Sequence, residues 1–158
     1  MCFQGLELHY NDILSLLEAS PQTQLILDHF GFTKLTSQGD QAFKKLLHLA
    51  SYPQVSIKIS AFFRLDDDSP YERVRTERFE PLLKAFGGQR LMFGTDFPFV
   101  LEQEPERYEG MVQLISSWLK DDNVARANVM GGTAERLFGP WGVGSPAPPV
   151  DATMSTEL

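Results

Sequence analysis

Short apolar runs alternate with longer amphipathic stretches along this chain. Residues 25–27 form an uninterrupted apolar run, which is typical of a strand covered on both faces. Residues 55–63 alternate β-branched with polar side chains and also predict a strand. Residues 43–50, by contrast, place apolar side chains at the i, i+3, i+4 and i+7 positions of one helix face.

These patterns predict four strands separated by helices. The strands span residues 2–8, 23–29, 55–63 and 90–99. The helices span residues 11–19, 40–50, 71–86, 105–120, 121–130 and 133–138. Pro81 can split the third of these helices. Four strand–helix alternations predict βαβ units around a parallel sheet, which is an α/β fold.

The last part of the chain has a different composition. From Gly139 onward it is rich in Gly, Pro and Ser and shows no periodicity. Such a stretch is typical of a flexible tail. We therefore expect a folded domain over residues 1–139 and a tail over residues 140–158.

Polar side chains follow each predicted strand. In chain order they are His9 with Tyr10, Asp28 with His29, Arg64 with Asp66–Asp68, and Thr95 with Asp96. Ligands of parallel α/β proteins bind at the carboxyl ends of the strands, so these side chains are the first candidates for a site. A histidine there can bind a metal or a substrate carbonyl, or it can be an ordinary hydrogen-bonded residue under a loop.

Asp96 and Arg64 each allow two readings from the residues alone. Asp96 can bind a metal or take a proton from an attacking water, and it can also cap the turn that follows it. Arg64 can hold a substrate carboxylate through its planar donor fork, or pair on the surface with Asp66–Asp68. That acidic run lacks the spacing of a calcium loop, and we expect it to be solvated. His9 and Tyr10 are candidate substrate contacts, although an ordinary loop is favoured there.

Composition excludes several other classes of function. The 158 residues carry 14 Lys and Arg against 21 Asp and Glu, a net charge of −7, so we expect no nucleic-acid partner. No apolar run approaches the roughly 18 residues that span a membrane. One cysteine, Cys2, excludes a disulfide framework and a cysteine-based zinc site, and it fits a reducing, cytoplasmic setting. The sequence has neither a Gly-rich phosphate loop nor a Gly-x-Ser-x-Gly motif.

Four segments resemble a known family. LILDHFGF, VSIKISAFFR, RLMFGTDFPF and NVMGGTAERLFG occur in the order seen in the amidohydrolase-related family. That family includes dicarboxylate lactonases, sugar lactonases and metal-dependent decarboxylases. The resemblance covers about residues 3–139 and is to the second half of a (β/α)8 barrel, approximately strands five to eight with their helices.

The resemblance implies roles for particular residues. His29 matches the histidine that ends strand six, and Asp96 matches the aspartate that ends strand eight. In the family this aspartate activates the water that attacks a lactone or amide carbonyl, sometimes with a divalent metal. A metal, with zinc favoured, would be held by His29 and Asp96. Arg64 matches the arginine that holds a substrate carboxylate in the dicarboxylate lactonases, although the chain reads Lys-Ile-Ser-Ala before it where the family has Lys-Leu-Ser/Thr-Gly.

One signature of the family is missing. The chain has three histidines, and none of them forms the His-x-His motif of strand one. A (β/α)8 barrel also needs roughly 200 residues or more. We therefore expect a hydrolase of a small carboxylated substrate that is incomplete as this chain. The alternatives are a non-catalytic half barrel that acts as a binding or regulatory partner of another half barrel, of a full-length barrel or of its own copies, and a small doubly wound domain of unrelated function.

Overall fold

The computed structural model describes residues 6–68, 70–103 and 107–140. Within these residues the strands are β1 (Leu25–Leu27), β2 (Val55–Ile59) and β3 (Leu91–Phe93). The helices are α1 (Leu6–Ala19), α2 (Ser37–His48), α3 (Glu72–Val74), α4 (Glu80–Phe86), α5 (Phe99–Gln103), α6 (Arg107–Trp118), α7 (Asn123–Ala127) and α8 (Thr133–Phe138). None of the helices in the described ranges is long and apolar enough to cross a membrane.

The strands form one parallel sheet in the order β1-β2-β3. In its register, Ile57 of β2 lies between Leu27 of β1 and Leu91 of β3. These three side chains are buried on one face, against the helices. The predicted α/β fold with a parallel sheet is confirmed, and the three strands end at the same edge.

The opposite face of the sheet is more polar. It carries Ser56, Lys58 and Ser60 from β2 and the residue after it, because successive side chains of a strand point to opposite faces. Ile26 and Met92 flank them in the register. A cavity of about 360 Å³ opens on this face.

The prediction of a strand over residues 2–8 is wrong for residues 6–8. These residues begin α1, in which Leu6, Ile13 and Leu17 are each at most 2% exposed. They lie seven and four residues apart, which places them on one face of a helix, so one continuous helix buries all three side chains. Residues 1–5 lie outside the described part of the chain.

The predicted third helix runs over Pro81 without a break. A π-helical turn over Arg75–Phe79 joins α3 to α4, and Pro81 lies in the first turn of α4. Proline lacks the N–H that a helix interior needs, and a widened turn accommodates that loss. The last two predicted helices are confirmed as α7 and α8, with a second π-helical turn over Asn128–Gly132 between them. Apart from residue 140, the predicted tail lies outside the described residues.

Candidate active site

Two or three residues after each strand of the sheet lies a residue with left-handed backbone geometry. His29 follows β1 with φ 51°, Ala61 follows β2 with φ 54°, and Asp96 follows β3 with φ 64°. Residues other than glycine seldom adopt a positive φ, and such strain concentrates at functional sites. These sharp bends determine where the chain goes after each strand, and two of the three residues are the site candidates His29 and Asp96.

His29, Arg64 and Asp96 are brought together at the carboxyl edge of the sheet. His29 Nε2 lies 3.6 Å from Asp96 Oδ1, and Arg64 Nε lies 3.7 Å from Asp96 Oδ2. The side chains of His29 and Asp96 are only 10% and 11% exposed, whereas that of Arg64 is 42% exposed. Asp96 Oδ2 is buried and has no hydrogen-bond partner within the described ranges. The aspartate therefore lies between a buried imidazole and a guanidinium that reaches solvent.

The other side of the His29 ring contacts Ser60. His29 Nδ1 lies 2.7 Å from Ser60 Oγ, and both residues are buried. Burial lowers the pKa of His29, and this effect outweighs the opposing influence of Asp28 and Asp96. The ring is therefore neutral near pH 7, so one of its nitrogens is a donor and the other an acceptor.

A second ion pair lies beside this histidine on the polar face of the sheet. Lys58 Nζ is 2.9 Å from Asp28 Oδ1, which in turn is 3.8 Å from His29 Nδ1. Gly94 leaves room for the lysine, because a Cβ at that position would lie 2.9 Å from Lys58 Cε. Sequence reasoning did not select Lys58 or Ser60 as site residues. The signal was present in β2, whose alternation places both of them on one face, next to the strand end.

Arg64 faces the site and not the acidic run that follows it. Asp66 pairs with Lys34 at 3.3 Å, and Asp67 accepts a hydrogen bond from the backbone N–H of Val74 at 3.0 Å. The Arg64 guanidinium carbon lies 5.0 Å and 5.7 Å from the ring centres of Phe63 and Phe99. Arginine stacks on aromatic rings in this way while its outer N–H groups stay free to bind an anion.

His9 and Tyr10 are not brought to this cluster. Both lie within α1, where His9 approaches Asp12 at 3.5 Å and the Tyr10 hydroxyl lies 2.6 Å from His48 Nδ1. His48 ends α2, and the chain enters β2 only seven residues later. Tyr10 therefore lies near the amino end of the sheet, opposite the three candidates. The expectation that it follows a strand fails because residues 6–10 are helical.

The described residues supply two of the donors that a metal site needs. His29 Nε2 and Asp96 Oδ1 are 3.6 Å apart, and two donors on one tetrahedral zinc lie about 3.3 Å apart for bonds of about 2.0–2.1 Å. No group of three or more His, Cys, Asp or Glu side chains is arranged to hold a metal within residues 6–68, 70–103 and 107–140. Catalytic zinc takes three protein ligands, so these residues do not form a complete zinc site by themselves.

The fold and the site together define a parallel α/β protein with its candidate active site at the carboxyl edge of the sheet. The sequence profile of the Amidohydro_2 family, described as Amidohydrolase, matches residues 9–139. The chain belongs to this amidohydrolase family.

Two curated relatives are lactone hydrolases. L-fucono-1,5-lactonase of Burkholderia multivorans is 32% identical to the chain, in a match that covers 72% of the chain and 42% of the lactonase. 4-Sulfomuconolactone hydrolase of Rhizobium radiobacter is 29% identical, with 78% of the chain and 42% of the hydrolase covered. The chain thus spans less than half the length of the curated relatives it matches.

A solved structure shares the fold. An amidohydrolase from Burkholderia multivorans, crystallised with bound zinc, superposes with a TM-score of 0.68 and 27% identity. The match covers 82% of this chain and 49% of that protein. A second crystal form of that amidohydrolase holds HEPES.

Proposed function

We propose that this chain is the C-terminal half of a (β/α)8-barrel hydrolase, with residues 1–139 as the half barrel and residues 140–158 as a tail. The described strands β1, β2 and β3 would be strands six, seven and eight of the barrel. The coverage of 42% of two lactone hydrolases supports this proposal, since both match over less than half their length. The open polar face of the sheet would then line the inside of the barrel.

The observation that carries the proposal is the position of Asp96 between His29 and Arg64. In the proposed reaction, the Asp96 carboxylate takes a proton from water as that water attacks the carbonyl carbon of a lactone or an amide. When the acyl C–O or C–N bond then breaks, the same proton passes from Asp96 to the leaving oxygen or nitrogen. His29 lies on the Oδ1 side and either polarises the carbonyl of the substrate by a hydrogen bond to its oxygen or serves as a metal ligand. Arg64 lies on the Oδ2 side, partly exposed, and holds a carboxylate of a small-molecule substrate.

A divalent metal, with zinc favoured, belongs to this proposal as a possible cofactor. His29 and Asp96 would contribute two ligands, and at least one more would come from outside the described residues. When bound, such an ion supplies Lewis-acid activation. The zinc in the Burkholderia multivorans amidohydrolase supports this part of the proposal.

A fusion protein tests the proposed reaction. The N-terminal half of the Burkholderia multivorans lactonase would be joined to this chain and assayed for hydrolysis of L-fucono-1,5-lactone. We expect turnover by the fusion and negligible turnover by the chain alone. In the fusion, Asp96→Asn should lower kcat by about 10²–10⁴-fold, the range of a general base. Arg64→Ala should mainly raise KM for a lactone that carries a carboxylate, with little effect on L-fucono-1,5-lactone, which has none.

The matched control is Asp121→Asn, at an exposed turn residue outside the site. It should leave the rate of the fusion unchanged. Robust lactone hydrolysis by the purified monomeric chain would show that the half barrel is already complete. A folded fusion in which Asp96→Asn retains the full rate would refute the role of Asp96.

A second candidate function is a non-catalytic half barrel that associates with another half or with its own copies. The exposed Phe138 favours it, because this side chain borders the cavity of about 360 Å³ that Ile26 and Met92 also line, with Lys58 and Asp28 beside them. Apolar side chains on an open face are typical of an association surface. Sedimentation of the chain, alone and mixed with the lactonase half, distinguishes this function by the formation of a stable inactive complex.

A further inference from the structure

The hydroxyl of Ser60 lies next to the site without access to water. Ser60 follows β2 and is 0% exposed, and its Oγ is 2.7 Å from His29 Nδ1. A buried hydroxyl has one proton, which needs an acceptor inside the protein. Among the described residues, His29 Nδ1 is the acceptor within hydrogen-bond distance of Ser60 Oγ.

The direction of this hydrogen bond depends on which nitrogen of the neutral ring carries the proton. When the Ser60 hydroxyl donates to Nδ1, that nitrogen must present its lone pair, so the ring proton is on Nε2. Nε2 faces Asp96 Oδ1 at 3.6 Å, and a proton there points toward a carboxylate. In the other tautomer, the lone pair of Nε2 would face a lone pair of Asp96 Oδ1 at 3.6 Å. Nδ1 would then carry the ring proton and could no longer accept the proton of the Ser60 hydroxyl.

Lys58 weakens the competing influence of Asp28. Asp28 Oδ1 lies 3.8 Å from Nδ1 and by itself would favour a proton on that nitrogen. Lys58 Nζ lies closer to the same oxygen, at 2.9 Å, and offsets its charge. Arg64 approaches Asp96 less closely, at 3.7 Å, than Lys58 approaches Asp28.

We propose that Ser60 is a positioning residue that fixes His29 in the tautomer with its proton on Nε2, directed toward Asp96. The consequence for catalysis rests on the proposed function: His29 offers a hydrogen-bond donor to a carbonyl oxygen placed next to the Asp96 base. This assignment is for the chain without metal; a metal at Nε2 would instead take the tautomer with its proton on Nδ1, in which Ser60 Oγ accepts the hydrogen bond.

Nuclear magnetic resonance of the ring nitrogens tests this assignment without any turnover. The chain would be labelled with ¹⁵N-histidine and studied at pH 8, where the buried ring is neutral. His29→Gln identifies the His29 signals by their loss. In the wild type and in Ser60→Thr, which keeps the hydroxyl, we expect two widely separated His29 resonances with the proton on Nε2. In Ser60→Ala the two resonances should move toward each other as the tautomers mix.

Ser117→Ala is the matched control, because it removes the exposed Ser117 hydroxyl, which donates to the carbonyl of Leu114. It should leave the His29 signals unchanged, and those of His9 and His48 should not move in any Ser60 variant. A wild-type His29 with its proton on Nδ1 would overturn the assignment, as would wild-type tautomer populations in Ser60→Ala. If Ser60→Ala does not fold, the wild type and Ser60→Thr still decide the tautomer. Failure of the proposed hydrolysis would appear in the lactone assay and would leave this measurement intact.

Discussion

Replacing Arg78 with alanine should destabilise the fold, because this buried side chain holds the segment that follows His29. Arg78 is 2% exposed, and its guanidinium donates to the carbonyl of Thr33 at 2.9 Å and to that of Lys34 at 2.6 Å. It also pairs with Asp40 near the start of α2 at 2.6 Å. One side chain from the π-helical turn therefore joins the turn after β1 to the next helix.

The magnitude follows from what the substitution leaves behind. Thr33 is 0% exposed, so its carbonyl loses a donor away from water, which costs about 1–3 kcal/mol. Asp40 is 53% exposed and is solvated by water instead, so its pair contributes about 0–1 kcal/mol. The guanidinium also lies 4.6 Å from the ring centre of Phe43, and losing that contact costs about 0.5–2 kcal/mol. Relief of the burial of a charge offsets part of the sum, leaving about 2–4 kcal/mol.

Urea unfolding followed by circular dichroism measures this loss. Arg78→Ala should lower the midpoint with an unchanged m value, and Arg78→Lys should recover only part of the loss because an ammonium lacks the planar fork. Arg126→Ala is the matched control: Arg126 is exposed on α7 and bonds Asn123 at 3.0 Å, so its removal should cost less than about 0.5 kcal/mol. A loss below about 1 kcal/mol for Arg78→Ala would refute this account of how the segment is held.

Three further predictions concern the site and its surroundings. Tyr10→Phe removes the 2.6 Å contact with His48, so it should cost about 0.5–1.5 kcal/mol in urea unfolding and leave lactone hydrolysis by the fusion unchanged; a large loss of activity would return Tyr10 to the site. The chain alone should bind zinc only weakly in competition with a chromophoric chelator, since its described residues offer two ligands; tight binding abolished by His29→Gln would contradict this. Burial lowers the pKa of His29 below its ordinary 6.5, so the unfolded chain binds the proton more readily. The contribution of His29 to the free energy of unfolding should thus be complete above about pH 6.5 and fall as the pH drops toward the folded-state pKa. Between pH 7 and pH 5, His29→Asn should therefore lose less stability than the wild type. Equal losses in the two proteins would disprove this linkage.

Much of the fold was predictable because its periodicities are local. The alternation over residues 55–63 predicts β2 and identifies its two faces, and the apolar run at residues 25–27 is β1. The start of α1 was not predictable in the same way, since a short apolar run before a helix fits a strand equally well. Pro81 shows the opposite case. Its low helix propensity allows a helix end at that position, but the π-helical turn over Arg75–Phe79 keeps the helix continuous.

The meeting of His29 with Asp96 was also predictable in outline. Parallel strands share a carboxyl edge, so residues that follow neighbouring strands come together there. Their distances could not be read from the sequence. The contact between His29 and Ser60 joins residues 31 apart, and the choice of Asp96 over Asp66 as the neighbour of Arg64 depends on the direction in which the chain leaves β2.

That direction depends on backbone conformations that cannot be predicted from the residue types. The second residue after β1, the second after β2 and the third after β3 have positive φ, and none of them is glycine: they are His29, Ala61 and Asp96. Each such residue costs of order 1–3 kcal/mol and persists only where its surroundings hold it. Histidine and aspartate at these bends carry the candidate chemistry, whereas Ala61 carries none and lies between Ser60 and the turn that presents Arg64. A strained residue therefore follows each of the three strands whose ends converge on Asp96. Replacing Ala61 by glycine should relieve the strain at position 61 without moving the side chains of His29, Arg64 and Asp96.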